Sequence, residues 1–251
     1  MRRSLRYYTE RNLKSKSFED YLGSLSATNL IIFINVIFFI IATTLLIINE
    51  SYINYIALKP SNIMQGKYIW TLITSMFMHA PTIGPFILSY LSFHLIINMF
   101  VLFSLGNFCE KIIGKKRFIW FYLISGIFAG IFSVIFSYFF TNSDFGIRIF
   151  GDPSLPGVGA SGAIFAIAGL FVVLTPKLRF MIVFLPFFSL PAYIMVPLVL
   201  FATWLVSAGT NLPIGNTAHF GGFIIGVIYG IYLRKKYYNK IIMLNRRMGI
   251  S

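Results

Sequence analysis

The sequence predicts an all-α polytopic membrane protein, a bundle of six transmembrane helices. Three observations carry that expectation. Hydrophobic residues fill 57% of the 251 positions and charged ones only 11%, whereas a soluble domain needs roughly a quarter charged residues to cover its surface. Several apolar stretches run without charge for the ~20 residues a helix needs to cross a bilayer. Those stretches are continuous rather than alternating, which excludes a membrane β-barrel.

The spans are expected near residues 29–48, 93–112, 117–140, 160–175, 180–205 and 217–234. The first follows a basic segment, as the core of a signal peptide does. It is too long for such a core and no small-residue cleavage site follows, so it reads as a retained span. The organisation expected is a basic cytoplasmic tail over 1–28, a membrane domain over 29–234, and a second basic cytoplasmic tail over 235–251.

Charge placement supports this topology. The net charge of +14 would suggest nucleic acid in a soluble protein; here the charges are parcelled out between spans, so topology and anionic lipid explain them and no nucleic acid is expected. Arg2, Arg3, Arg6, Arg11, Lys14 and Lys16 precede the first span. Lys111, Lys115, Lys116 and Arg117 join the second to the third, and Lys177 and Arg179 the fourth to the fifth. Arg234, Lys235, Lys236, Lys240, Arg246 and Arg247 close the chain. Six spans put all of these on one face and leave Lys59, Lys67 and Arg148 on the other. Positive charge favours the cytoplasm, so both termini are expected there, with a prokaryotic plasma membrane as the setting. Cys109 is the only cysteine, so no intrachain disulfide can form.

Polar residues within spans are costly and mark function by default. Ser161 opens the fourth span in Gly159-Ala160-Ser161-Gly162. That span, roughly 25 Å long, is shorter than the roughly 30 Å hydrocarbon core, so Ser161 is expected within the membrane at a helix N-terminus. His219 opens the sixth span, followed by Gly222, Gly226 and Gly230 at spacing four, a ridge that lets another helix approach closely. Gly162, Ala166 and Gly169 offer it a matching face. His94 and Asn98, four apart, share one face of the second span. Each has a plain structural alternative: a small-residue contact for the serine, a carbonyl-bonded imidazole for His219, an interhelical clamp for His94 and Asn98. Together they are what acyl transfer needs, a nucleophile, a general base and oxyanion donors. No span offers a third-member aspartate, so a two-residue Ser–His arrangement is expected. No His-Glu-x-x-His is present for a zinc protease, and no pair of carboxylates lies within the spans for an aspartyl protease. No metal or cofactor is expected.

With these motifs the sequence resembles the rhomboid family of intramembrane serine proteases. The likeness rests on Gly159-Ala160-Ser161-Gly162, on Ala218-His219 with Gly222 and Gly226, on His94 and Asn98 continuing to Gly106 and Glu110, and on Phe77-Met78-His79. The resemblance implies a rhomboid-like bundle with Ser161 as nucleophile and His219 as general base. His94, Asn98 and the Ser161 backbone N–H would form the oxyanion hole, and Phe165 would pack on the histidine. Substrates would be transmembrane proteins, met in contact with membrane lipids. The first outer loop departs from the pattern, with Trp70-Thr71 where the family often has Trp-Arg. The fifth stretch holds Pro186, Pro191 and Pro197, which suits it to yield to a substrate arriving sideways. A transporter or scaffold would account for apolar spans but not for the matched motifs.

Overall fold

A computed structural model describes residues 25–81, 92–182, 185–210 and 214–250. In chain order its main elements are α1 (Ala27–Ile48), α2 (Phe93–Ile113), α3 (Lys115–Phe139), α4 (Asp144–Phe150) and α5 (Ser161–Leu174). A hairpin of β1 (Arg179–Ile182) and β2 (Leu185–Pro191) follows, then α6 (Ala192–Thr210), α7 (Asn216–Lys236) and α8 (Tyr238–Arg247). The chain is thus an all-α polytopic membrane bundle, with one short hairpin added. Helices α1, α2, α3, α6 and α7 are long and apolar enough to cross a bilayer. Helix α5, with 14 residues, is about 21 Å long. The basic N-terminal stretch and most of the link from His79 to His94 lie outside the described residues.

The bundle is built around α5. Ala160, Ala163, Ala166, Ile167, Leu170 and Phe171 on or beside it are fully buried. The outer helices turn Phe33, Phe93, Phe100, Phe103, Phe201, Leu205 and Ile228 outward, far more apolar surface than a soluble protein carries and the surface lipid would cover. Small residues decide the packing. A side chain at Gly222 would overlap the Gly162 carbonyl, and one at Gly226 the Ala166 carbonyl. Gly169 in turn makes room for the Phe223 carbonyl. Helices α5 and α7 therefore touch backbone to backbone along the glycine ridge.

Polar contacts pin the helix ends. Ser26 caps α1 by accepting from the Asn29 N–H at 3.1 Å. The next free donors, the N–H groups of Ala27 and Thr28, both reach the Glu110 carboxylate at 2.9 Å. A carboxylate at a helix N-terminus is favourable for both its hydrogen bonds and its charge, so Glu110 clamps α1 to the C-terminal end of α2. Helix α2 widens into a π turn over Leu102–Gly106. At the other end of the chain, α8 lies across the end of α5: Asn245 donates to the Leu174 carbonyl at 2.9 Å, and Ile241 is buried.

The fifth span differs from expectation. Residues 179–191 form an antiparallel hairpin, and the helix begins only at Ala192 and runs to Thr210. An apolar run alone does not separate strand from helix. Here proline does: it has no N–H and clashes inside a helix, so Pro186 and Pro191 fall in β2 and only Pro197 lies within α6. The outer loop before α5 is also more ordered than its Gly/Pro content suggests. It carries α4, capped by Ser143, and α6 is tied to it by Trp204, whose indole N–H donates to the Ile149 carbonyl at 2.8 Å.

Candidate active site

Ser161 is the first residue of α5, and His219 lies in the first turn of α7. The glycine contacts bring those two ends together. Ser161 Oγ and His219 Nε2 stand 2.8 Å apart, in hydrogen-bond contact. The Phe165 ring, one turn along α5, stacks on the imidazole at 4.5 Å between centroids and 28° between planes. A hydroxyl held against an imidazole nitrogen in this way can pass its proton to that nitrogen as the oxygen attacks an electrophile.

A second cluster faces the hydroxyl. Gly159 has φ +130°, a backbone region in which side chains are strained. It has no room for one: a Cβ there would sit 2.9 Å from His94 Cε1, 3.0 Å from His94 Nε2 and 3.6 Å from Ser161 Oγ. Only glycine therefore lets the backbone of this turn lie against both the His94 ring and the serine oxygen. His94 has a defined tautomer there. The Ala80 N–H donates to its Nδ1 at 3.4 Å, so in the neutral ring the proton lies on Nε2, the nitrogen that lies against Gly159. Ser92 holds Ala80 in place by donating to its carbonyl at 2.7 Å. Asn98 is buried and donates from Nδ2 to the His94 carbonyl at 2.8 Å, leaving its second amide proton free of that bond.

The structure thus brings Ser161, His219, Phe165, Gly159 and His94 around one point, with Asn98 one turn behind His94 and Gly222 and Gly226 setting the helix approach. Among the described residues no group of three or more His, Cys, Asp or Glu side chains could hold a metal ion.

A model of the Rhomboid domain matches residues 66–236, more than half of the chain. The chain belongs to the rhomboid family. The mitochondrial Rhomboid protein 1 of Saccharomyces cerevisiae is 30% identical over 145 residues, covering 57% of this chain and 38% of that protein. Rhomboid protease AarA of Providencia stuartii is 31% identical over 147 residues, 55% of this chain and 50% of its own. The mitochondrial Presenilin-associated rhomboid-like protein of Homo sapiens is 28% identical over 156 residues, 59% and 38%. The chain spans half or less of the length of these relatives.

Within this rhomboid fold the structure adds residues whose part the sequence left unread. His79 is fully buried, edge-on to His94 at 5.1 Å, and the Ala160 N–H points to its Nε2 at 3.5 Å. Burial, reinforced by His94, pushes the His79 imidazole down to about 3, so it is neutral and can accept. The Gly159 N–H donates to the Ser75 carbonyl at 2.9 Å, and Leu58 and Gly157 exchange backbone hydrogen bonds. The first outer loop therefore holds the turn that presents Ser161. The sequence signal for this was Phe77-Met78-His79, visible as a motif but without a partner. Asn216 and Thr217 also belong to the site's surroundings, with Thr217 3.0 Å from Ser133 across to α3. Two polar residues just before His219 were the signal there.

Proposed function

We propose that this chain is an intramembrane serine endopeptidase that hydrolyses peptide bonds in or near the transmembrane segments of membrane proteins, through a Ser161–His219 dyad and an acyl-enzyme intermediate. The observation that carries the reading is the 2.8 Å contact of Ser161 Oγ with His219 Nε2. As Ser161 Oγ attacks the scissile carbonyl, His219 Nε2 takes its proton and then delivers it to the leaving amine. The carbonyl oxygen becomes an oxyanion beside Ser161, on the side where His94 lies. His94 Nε2–H, the free amide proton of Asn98 and the Ser161 backbone N–H are its donors. Water then repeats the sequence on the acyl-enzyme. Rhomboid protease AarA, among the relatives, is a protease by name, which favours the same class here. Substrates are transmembrane proteins, and lipid covers the outward Phe and Leu side chains.

A serine-directed fluorophosphonate and a panel of transmembrane substrates test the function together. Purified wild-type chain is expected to take the label at Ser161 and to cut at least one substrate. A folded wild-type chain that does neither overturns the reading. The oxyanion hole makes a separate prediction. Asn98→Ala and His94→Ala should each lower kcat by the equivalent of roughly 2.7–4 kcal/mol with KM little changed. A rise in KM alone would make the residue a binding group instead.

The relatives include mitochondrial proteins, which removes the support for a prokaryotic plasma membrane. What stands is a multi-pass integral membrane protein. The distribution of Lys and Arg puts both termini on the positive, cytoplasm-like side in this proposal.

A further inference from the structure

His219 has one nitrogen the dyad does not account for. To receive the Ser161 proton, Nε2 must be unprotonated, so the neutral ring carries its proton on Nδ1. Yet Nδ1 is buried, with no hydrogen-bond partner among the described residues. A buried N–H left unpaired is costly, which works against the tautomer the reaction needs. Among the described residues no carboxylate answers it. Among the ionisable groups it is His94, on α2, that acts on His219; His79 stands behind His94. Asp144 and Arg148, on the neighbouring α4, are exposed.

Asn216 lies three residues before His219, on the same face of α7. Helical side chains lean toward the N-terminus, so the His219 ring leans over the turn that holds Asn216. Asn216 is 3% exposed, and its Oδ1 and Nδ2 are both buried with no partner among the described residues. Its neighbour Thr217 is engaged, with Ser133 and the Phe150 carbonyl. Three unpaired polar atoms thus occupy one buried turn: Nδ1 of His219, and Oδ1 and Nδ2 of Asn216. A buried water typically has two to four such partners.

We propose that Asn216 is the positioning residue of the dyad, its carboxamide oxygen accepting the His219 Nδ1 proton through one buried water. The bridge fixes the tautomer with Nε2 free to act as base, and it supports the imidazolium formed when the Ser161 proton arrives. The inference rests on the dyad reading above. It gives a neutral carboxamide the orienting task that a buried carboxylate performs in a three-residue serine site.

The test uses the full chain in lipid bilayers, with a cleaved transmembrane substrate and the fluorophosphonate. Asn216→Leu removes both polar atoms and is expected to lower kcat about tenfold, the equivalent of one buried hydrogen bond, with KM little changed. Asn216→Asp places a carboxylate across from Nδ1. It favours the protonated imidazole, so the acid limb of the kcat/KM profile moves to higher pH. A merely structural role would leave that limb in place. Thermal unfolding checks the fold of both variants; if Asn216→Leu does not fold, the pH profile of Asn216→Asp decides alone. An Asp variant whose acid limb coincides with wild type, or a folded Leu variant with wild-type kcat, overturns the inference. Failure of the wild-type chain to label at Ser161 sinks the dyad itself and this inference with it. Wild-type labelling beside unmoved Asn216 variants sinks the inference alone.

Discussion

Ser161→Ala is expected to bring cleavage to background, a loss on the order of 10⁶-fold if the dyad acts as one unit. His219→Ala should fall nearly as far, because each residue is of little use without the other. The double variant should then be scarcely worse than either single one. The measurement is cleavage of a transmembrane substrate by purified protein, with fluorophosphonate labelling alongside. Ser161→Ala should take no label. His219→Ala should label far more slowly, since Ser161 Oγ loses the base 2.8 Å away. Both variants should insert and unfold thermally much as wild type does, for the serine hydroxyl contributes little to packing and α5 is held by its buried apolar side chains. Robust cleavage by Ser161→Ala would end the nucleophile assignment whatever the other variants did.

The next largest effect is expected where no chemistry occurs. At Gly222 a side chain would overlap the Gly162 carbonyl, and at Gly226 the Ala166 carbonyl. Both obstacles are backbone, so no rotamer change relieves them. Gly222→Leu and Gly226→Leu must push α7 away from α5 and carry His219 off Ser161. A displacement of about 1 Å can cost on the order of 100-fold in rate, and overpacking adds ~1–3 kcal/mol of destabilisation. Gly222→Leu should be the more severe, because its contact is with the residue after Ser161. Gly209, on α6, has nothing within 4 Å of an added Cβ, so Gly209→Ala should keep wild-type turnover. Activity and unfolding temperature measured on all three separate this from a general intolerance of substitution. Wild-type rates in both leucine variants would show that the close approach does not set the dyad's geometry.

Much of this molecule is legible without its structure, and the legible parts share a cause. Helices α1, α2, α3 and α7 are announced by runs of apolar residues of bilayer length, because lipid demands that each span satisfy its own backbone. Their ends shift by only a few residues from the expected ones. Ser161 and His219 stand out for a related reason: a polar side chain in an apolar run is expensive, so each one invites an explanation. The spacing of Gly222, Gly226 and Gly230 is likewise local, one residue per helical turn.

What the tertiary structure decided involves residues far apart in sequence. The stretch 180–191 is as apolar as a span, yet prolines and contact with its own partner strand make it a hairpin. Asn245 meets the Leu174 carbonyl, and Glu110 meets the N-terminus of α1, pairings no local pattern encodes. His79 was a motif without a role until the Ala160 N–H was found facing it. Asn216 was one polar residue among several until burial stripped it and His219 Nδ1 of partners together. Sequence determined the membrane class and singled out the candidate reactive side chains, because solvent and bond chemistry act residue by residue. Only packing determined their distances, because a 2.8 Å contact between positions 161 and 219 depends on how closely two helices approach, and that is set by every small residue along their seam.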